Sequence, residues 1–210
     1  MKTKFVITFL AILGSIAALN AQSIKETFDS NSLGWNETPK KIDSGTSIIE
    51  KGVLTIKTEG TSKFWQAMTG ESSCNWFICS CYAPLNMDRS FTIVTNVTIG
   101  KLDDDKYVGL VFNYKDDGNF YAFIFSDEMV YFVRREKHKL VGSKHQGVRW
   151  SVKRKARQNW RLESDTKTIS FFVDDVPIMK MRYMPLEYTG FGFYTFGKQK
   201  LEVDDIEFIQ

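Results

Sequence analysis

The chain has 210 residues, with 28 Lys and Arg against 25 Asp and Glu, 43% hydrophobic and 14% aromatic. That length and apolar content suffice for one self-supporting core, and 14 Gly, 4 Pro and so many aromatic rings exclude a disordered, collagen-like or coiled-coil chain. Two His and 3 Cys leave little material for a His-rich metal site or a His-based catalytic triad.

The first segment reads as a secretory signal peptide. Met1-Lys2-Thr3-Lys4 is a short basic region, Phe5 to Leu19 is apolar apart from Thr8, Gly14 and Ser15, and Ala21 offers a small residue at the cleavage edge. The run is short for a membrane span, and no later stretch approaches about 18 apolar residues. Residues 1–21 are therefore expected to be removed, leaving one domain over 22–210 without a transmembrane segment, exported to the periplasm, cell surface or exterior. Removal takes away Lys2 and Lys4 and leaves 26 basic against 25 acidic residues.

Strand patterns then follow one another. Val53 to Lys57 alternates, Ser90 to Ile99 is β-branched and alternating, and Tyr107 to Tyr114 and Phe120 to Phe125 flank the turn Lys115-Asp116-Asp117-Gly118-Asn119. Met129 to Arg134, Trp160 to Glu163, Ile169 to Val173, Val176 to Met181, Phe191 to Phe196 and Leu201 to Ile209 continue the series. Short strands at this spacing predict an all-β sandwich or barrel. The runs YVGLVF and FYAFIF are apolar at nearly every position, which fits strands covered on both faces or a sheet whose exposed side carries aromatics.

Cys74, Cys79 and Cys81 cluster as C-x4-C-x-C, which matches no zinc-ligand spacing. In an oxidising compartment Cys74 is expected to pair with Cys79 or Cys81. Trp65, Trp76 and Tyr82 crowd the same region, the two tryptophans with polar flanks, so all three are candidates for lining a surface cleft where rings stack on sugar faces. Residues 134 to 157 hold ten Lys and Arg against Glu136 alone, within which Lys153, Arg154 and Lys155 are the candidate contacts for a polyanion or an anionic surface. Asp103-Asp104-Asp105 and Asp116-Asp117-Gly118-Asn119 are acidic tips: solvated turns by default, calcium loops as the alternative, with no other cofactor expected.

In chain order, several segments resemble the bacterial exported concanavalin A-like lectin/glucanase superfamily, in its laminin G-like branch. Phe28-Asp29-Ser30-Asn31-Ser32-Leu33-Gly34-Trp35 is similar to its opening strand and turn, and Tyr107 to Phe112 with Asn119 to Phe123 to its central hairpin. Trp150 to Lys153 with Asn159 to Leu162, Ser170 to Val176, Gly190 to Phe193 and Val203 to Ile206 match later pieces, with Asp174-Asp175 where the family has Asn-Gly. The resemblance implies a two-sheet antiparallel jelly-roll sandwich and little about function, because this superfold hosts lectins, glycosidases and structural domains.

One motif needs separating from its look-alike. Glu202-Val203-Asp204-Asp205-Ile206-Glu207 spells the E-x-D-x-x-E of retaining glucanases of that fold, with Glu202, Asp204 and Glu207 as weak catalytic candidates. Leu201 and Val203 share one parity while Ile206 and Phe208 share the other, so a bulge is expected at Asp204-Asp205. The motif here ends three residues before the last residue, without the enzymes' flanking context, which favours an outward polar row. The expected function is a non-catalytic module binding a carbohydrate or glycoconjugate. The alternatives are a glycoside hydrolase and a structural or protein-interaction domain; export makes nucleic acid an unexpected partner.

Overall fold

The alternating runs become strands, packed as two antiparallel sheets. The computed structural model describes residues 22–42, 45–59, 76–102, 106–147 and 157–210. In chain order these form β1 (Ser23–Glu26), β2 (Thr38–Ile42), β3 (Gly45–Glu50), β4 (Val53–Thr58) and β5 (Trp76–Tyr82). Then come β6 (Phe91–Ile99), β7 (Tyr107–Asp116), β8 (Asn119–Phe125), β9 (Met129–Glu136) and β10 (Lys139–Gly147). The chain closes with β11 (Arg157–Ser164), β12 (Thr168–Val173), β13 (Val176–Arg182), β14 (Gly190–Phe196) and β15 (Gln199–Ile209).

The nine-stranded sheet is ordered β13-β12-β11-β6-β15-β4-β3-β2, with β1 as its ninth strand beside β15, and the six-stranded sheet β10-β9-β8-β7-β14-β5. β15 pairs with β4 along Gln199 to Val203, and with β1 along Ile206 to Ile209. Its expected bulge is present: the register against β6 shifts between Val203 and Asp205. The shift lets Leu201, Val203, Ile206 and Phe208 all face inward and be buried.

Between the sheets lies an aromatic core. Trp160 of the nine-stranded sheet meets Phe125 of the six-stranded sheet edge-on at 5.0 Å, and Phe171 stacks on Phe123 at 5.5 Å. The Trp160 indole N–H donates to the Gln158 side chain at 2.8 Å, so the ring is buried without an orphaned donor. Full burial of rings of this size contributes about 1.5–3 kcal/mol each.

Two hairpin turns are tight. Asp117-Gly118 joins β7 to β8, with Asp116 opposite Asn119. The Asp116 carboxylate accepts the Asn119 amide at 2.8 Å and the Gly118 N–H at 2.9 Å, and these bonds, Asn119 first, hold its pKa below the ordinary aspartate value. A depressed folded-state pKa means that this turn's contribution is present above the unfolded value of about 3.9 and is lost as pH falls through the folded value. Asp174-Asp175 joins β12 to β13 with φ of 48° and 63°, the left-handed pair that Asn-Gly adopts with least strain. Asp175→Gly is therefore expected to raise stability by about 0.5–1 kcal/mol in urea unfolding, since the exposed Arg161–Asp175 ion pair it removes is worth little.

Candidate functional site

The strands of the six-stranded sheet carry large side chains on both faces. Inward go Phe112, Phe123, Phe132, Phe191 and Phe193. Outward, cross-strand register brings together residues far apart in sequence: Tyr131 opposite Ile124, Ile124 opposite Gly109, and Gly109 opposite Tyr194. Trp76, Phe196 and Tyr107 line up across the next row. The result is a second apolar cluster on the outside of the sheet, with Val111 and Ala122 fully covered and Trp76, Tyr107, Tyr114, Val133 and Tyr194 half-buried around them.

An open groove of ≈ 300 Å³ runs over this cluster, lined by Tyr107, Ile124, Tyr131, Val133, Tyr194 and Phe196. Tyr107 meets Phe196 and Tyr131 edge-on at 5.6 and 6.0 Å, and Trp76 stacks on Tyr194 at 6.1 Å. Gly109 is obligatory here: a Cβ on it would lie 2.0 Å from the Phe123 carbonyl oxygen. His145 of β10 packs on Tyr131 at 5.9 Å, forming the rim. An apolar, ring-lined trough with tyrosine hydroxyls and an imidazole at its border can stack on a flat, partly polar ligand and hydrogen-bond its edges.

Two of the three aromatic candidates from the sequence reach this face. Trp76 lies folded over the cluster, and Tyr82, at the end of the same strand, is 79% exposed. Tyr82 sits opposite Gly190, which is in turn opposite Tyr114. Trp65 lies outside the described residues. Tyr107, Tyr131, Tyr194 and Phe196 are the residues that sequence reasoning passed over; the signal was the unbroken apolar character of these runs. Burial and the nearby Asp117 carboxylate push the Tyr114 hydroxyl up, consistent with its role as a donor to Asp117 at 2.9 Å.

The acidic motif sits elsewhere. Glu202, Asp204 and Glu207 all face outward from the nine-stranded sheet and are partly exposed. Glu202 is paired with Lys200 at 2.6 Å, Asp204 with Arg157 at 3.0 Å, and Glu207 accepts the Ser23 hydroxyl. This is the outward polar row. Two depressions near this sheet's surface, among the described residues, are lined by other side chains: one of ≈ 380 Å³ by Ser90, Thr92, Glu163, Ser170 and Lys180, another of ≈ 510 Å³ by Lys57, Lys101, Lys198 and Lys200.

Cys79 and Cys81 point into the core as free, buried thiols, and Cys74, the pairing partner considered for them, lies outside the described residues. Burial pushes the Cys79 thiol up to about 12 and raises Cys81 as well, so neither is a ready nucleophile. A Cys74→Ser variant is expected to resist iodoacetamide at pH 8 until urea unfolds it, because burial both shields the two sulfurs and disfavours their thiolates. Rapid labelling of the native variant would contradict that placement. Lys153, Arg154, Lys155 and Asp103 to Asp105 also fall outside the described residues. Among the described residues no group of three or more His, Cys, Asp or Glu is placed to hold a metal ion, and no helix is long and apolar enough to cross a membrane.

No family model matches the sequence, and no curated protein matches it. Solved structures do. The CBM2 module of the evolved Dit of Lactobacillus casei BL23 phage J-1 superposes with a TM-score of 0.56 at 14% identity, over 90% of this chain and 96% of that one. The carbohydrate recognition domain of Emp46p, in its metal-free form, gives 0.58 at 10% identity, over 89% and 94%. The GlcNAcα1-4Gal-releasing endo-β-galactosidase of Clostridium perfringens gives 0.59 at 9% identity, over 91% of this chain and 63% of the enzyme. The fold is a jelly-roll sandwich. At these identities the likeness establishes architecture, and the site must be argued from its own residues.

Proposed function

We propose that the chain is an exported, non-catalytic module of the laminin G-like kind that binds a glycan or glycoconjugate on the outer face of its six-stranded sheet. The observation that carries this reading is the ring-lined groove between Tyr107, Tyr131, Tyr194 and Phe196, an apolar surface left open on the outside of a sandwich. The names of two structural neighbours, a CBM2 module and a carbohydrate recognition domain, support it. Export rests on the basic and apolar pattern of residues 1–21.

Affinity electrophoresis through gels containing a broad panel of polysaccharides tests the proposal. At least one polymer should retard the protein, and Tyr131→Ala and Tyr194→Ala should each weaken that retardation about tenfold, the loss of one stacked ring. Retardation by none of the panel would overturn it.

A second reading has one observation in its favour: the endo-β-galactosidase that shares the fold. In that reading Glu202 and Glu207 cleave a glycosidic bond. Their outward setting, with Glu202 ion-paired to Lys200 and Glu207 bonded by Ser23, argues against it, and reducing ends released from β-glucans by the wild type but not by Glu202→Gln would establish it.

A further inference from the structure

The aromatic face carries a charge bias of its own. The outward residues along the middle of the six-stranded sheet, from Trp76 through Gly192, Val111 and Ala122 to Val133 and Arg135, include no Asp or Glu; the acids beside this face are Asp116 and Asp117 at the β7–β8 turn, the latter bonded by the Tyr114 hydroxyl at 2.9 Å. The contrast with the nine-stranded sheet is sharp, since its outer row includes Glu163, Glu202, Asp204, Asp205 and Glu207. Beside the groove, the β9–β10 hairpin from 134 to 147 holds Arg134, Arg135, Lys137, Lys139 and Lys144 against Glu136. Arg134 is the one taken up by Glu136.

Arg135 stands apart within this hairpin. It lies opposite Phe120 and faces outward, its guanidinium 5.6 Å from the Trp76 ring centre and 5.9 Å from that of Phe120. One Nη donates to the His138 carbonyl at 3.1 Å. Its Nε is buried and has no hydrogen-bond partner among the described residues. A charged N–H pressed between rings without an acceptor is costly, and proteins keep few such groups without a use. The guanidinium fork accepts a planar anion along its Nε–Nη edge with two parallel hydrogen bonds. Trp76, at the start of β5, is half-buried and is the nearer of the two rings beside the guanidinium.

Resting on the glycan reading above, we infer that the ligand of this face is an acidic sugar, a uronate or a sulfated residue, whose anionic group docks on Arg135 while its ring plane stacks along the tyrosine-lined groove. The groove residues and Arg135 include no carboxylate, and the acids of the β7–β8 turn are held by Tyr114, Gly118 and Asn119, so an anion on Arg135 meets little repulsion from this face. The shared chemistry is an anionic substituent on a stackable ring, and the polymers tested separate carboxylate from sulfate.

Matched gels test this: polygalacturonate against its fully methyl-esterified form, and dextran sulfate against dextran. Each is run with wild type, Arg135→Met, Arg135→Lys and a Lys137→Ser/Lys139→Ser/Lys144→Ser triple variant, all checked for folding by thermal melting. The acidic member of at least one pair should bind about tenfold more tightly than its neutral match, and Arg135→Met should abolish that preference. Arg135→Lys should fall between, because it keeps the charge and loses the fork. It also carries the test alone if the Met variant does not fold. The triple variant should change affinity less than threefold. Preference in the first pair alone assigns a carboxylate, and in the second alone a sulfate. Equal binding to acidic and neutral polymers would overturn the inference and leave the glycan reading standing. Acid-selective binding that survives Arg135→Met but vanishes in the triple variant would overturn the assignment to Arg135. No binding to any polymer would remove both.

Discussion

Asn113→Leu is expected to destabilise the protein by about 3–5 kcal/mol in urea unfolding. Asn113 is completely buried, at a register shift in β7, with φ of 46°. Asparagine tolerates that left-handed backbone; leucine does not. Its amide donates to the Leu186 carbonyl at 3.0 Å and the Tyr188 carbonyl at 2.8 Å, and its oxygen accepts the Tyr183 hydroxyl. Burial pushes the Tyr183 hydroxyl up, so it remains a donor. Leucine would strand two carbonyls and a hydroxyl in the interior and strain the backbone besides. Asn113→Gly keeps the backbone and loses only the bonds, so it should cost less, about 2–3 kcal/mol. A loss below 1 kcal/mol for the leucine variant would mean that the chain from 183 to 189 is not held to β7 in this way.

Glu26→Ala is expected to cost about 2–4 kcal/mol, read in the same unfolding assay. Glu26 is 3% exposed, at the end of β1. One oxygen accepts the Phe28 N–H at 3.1 Å, and the other accepts the Ser32 N–H at 3.0 Å, the Ser32 hydroxyl at 2.5 Å and the Leu33 N–H at 3.1 Å. These bonds hold a loop in which Phe28 has a φ of 58° and Trp35 stacks on Phe193 at 5.6 Å in the core. Alanine would leave those donors unsatisfied and loosen both rings. Glu26→Gln, which keeps one acceptor oxygen, should lose about half as much. Unchanged stability in the alanine variant would show that the loop closes on its core contacts alone.

Both residues also mark where the sequence stops being readable. Glu26 is one acid in a short polar strand, and Asn113 one amide in an apolar run; nothing local distinguishes a buried clamp from a solvated side chain. The β7–β8 hairpin was legible because Asp117-Gly118 is turn chemistry between two apolar runs. The β15 bulge was legible because the apolar parity changes across Asp204-Asp205. β10 had no periodicity to read, since every residue from Lys139 to Gly147 is exposed and an edge strand without a buried face writes no alternation; only the dense basic run from Arg134 marked a hairpin and loop there. Trp76 and Tyr82, picked out as rings crowded near the cysteines, fall on the same face as the groove. Tyr131 and Tyr194 belong with them only through β8 and β7, which no local pattern supplies. For Glu202, Asp204 and Glu207 the ambiguity was one of face: the same spelling lines a cleft or decorates an outer surface, and the register decides.

The proposed binding surface is the outer aromatic face of the six-stranded sheet. Its most direct test is an NMR titration of the protein with the tightest-binding glycan, following aromatic and methyl resonances. Shift changes should concentrate on the rings of Trp76, Tyr107, Tyr131, Tyr194 and Phe196 and on the methyls of Ile124 and Val133. Changes gathered instead around Thr92, Glu163, Ser170 and Lys180 on the opposite sheet, with these rings unmoved, would contradict it.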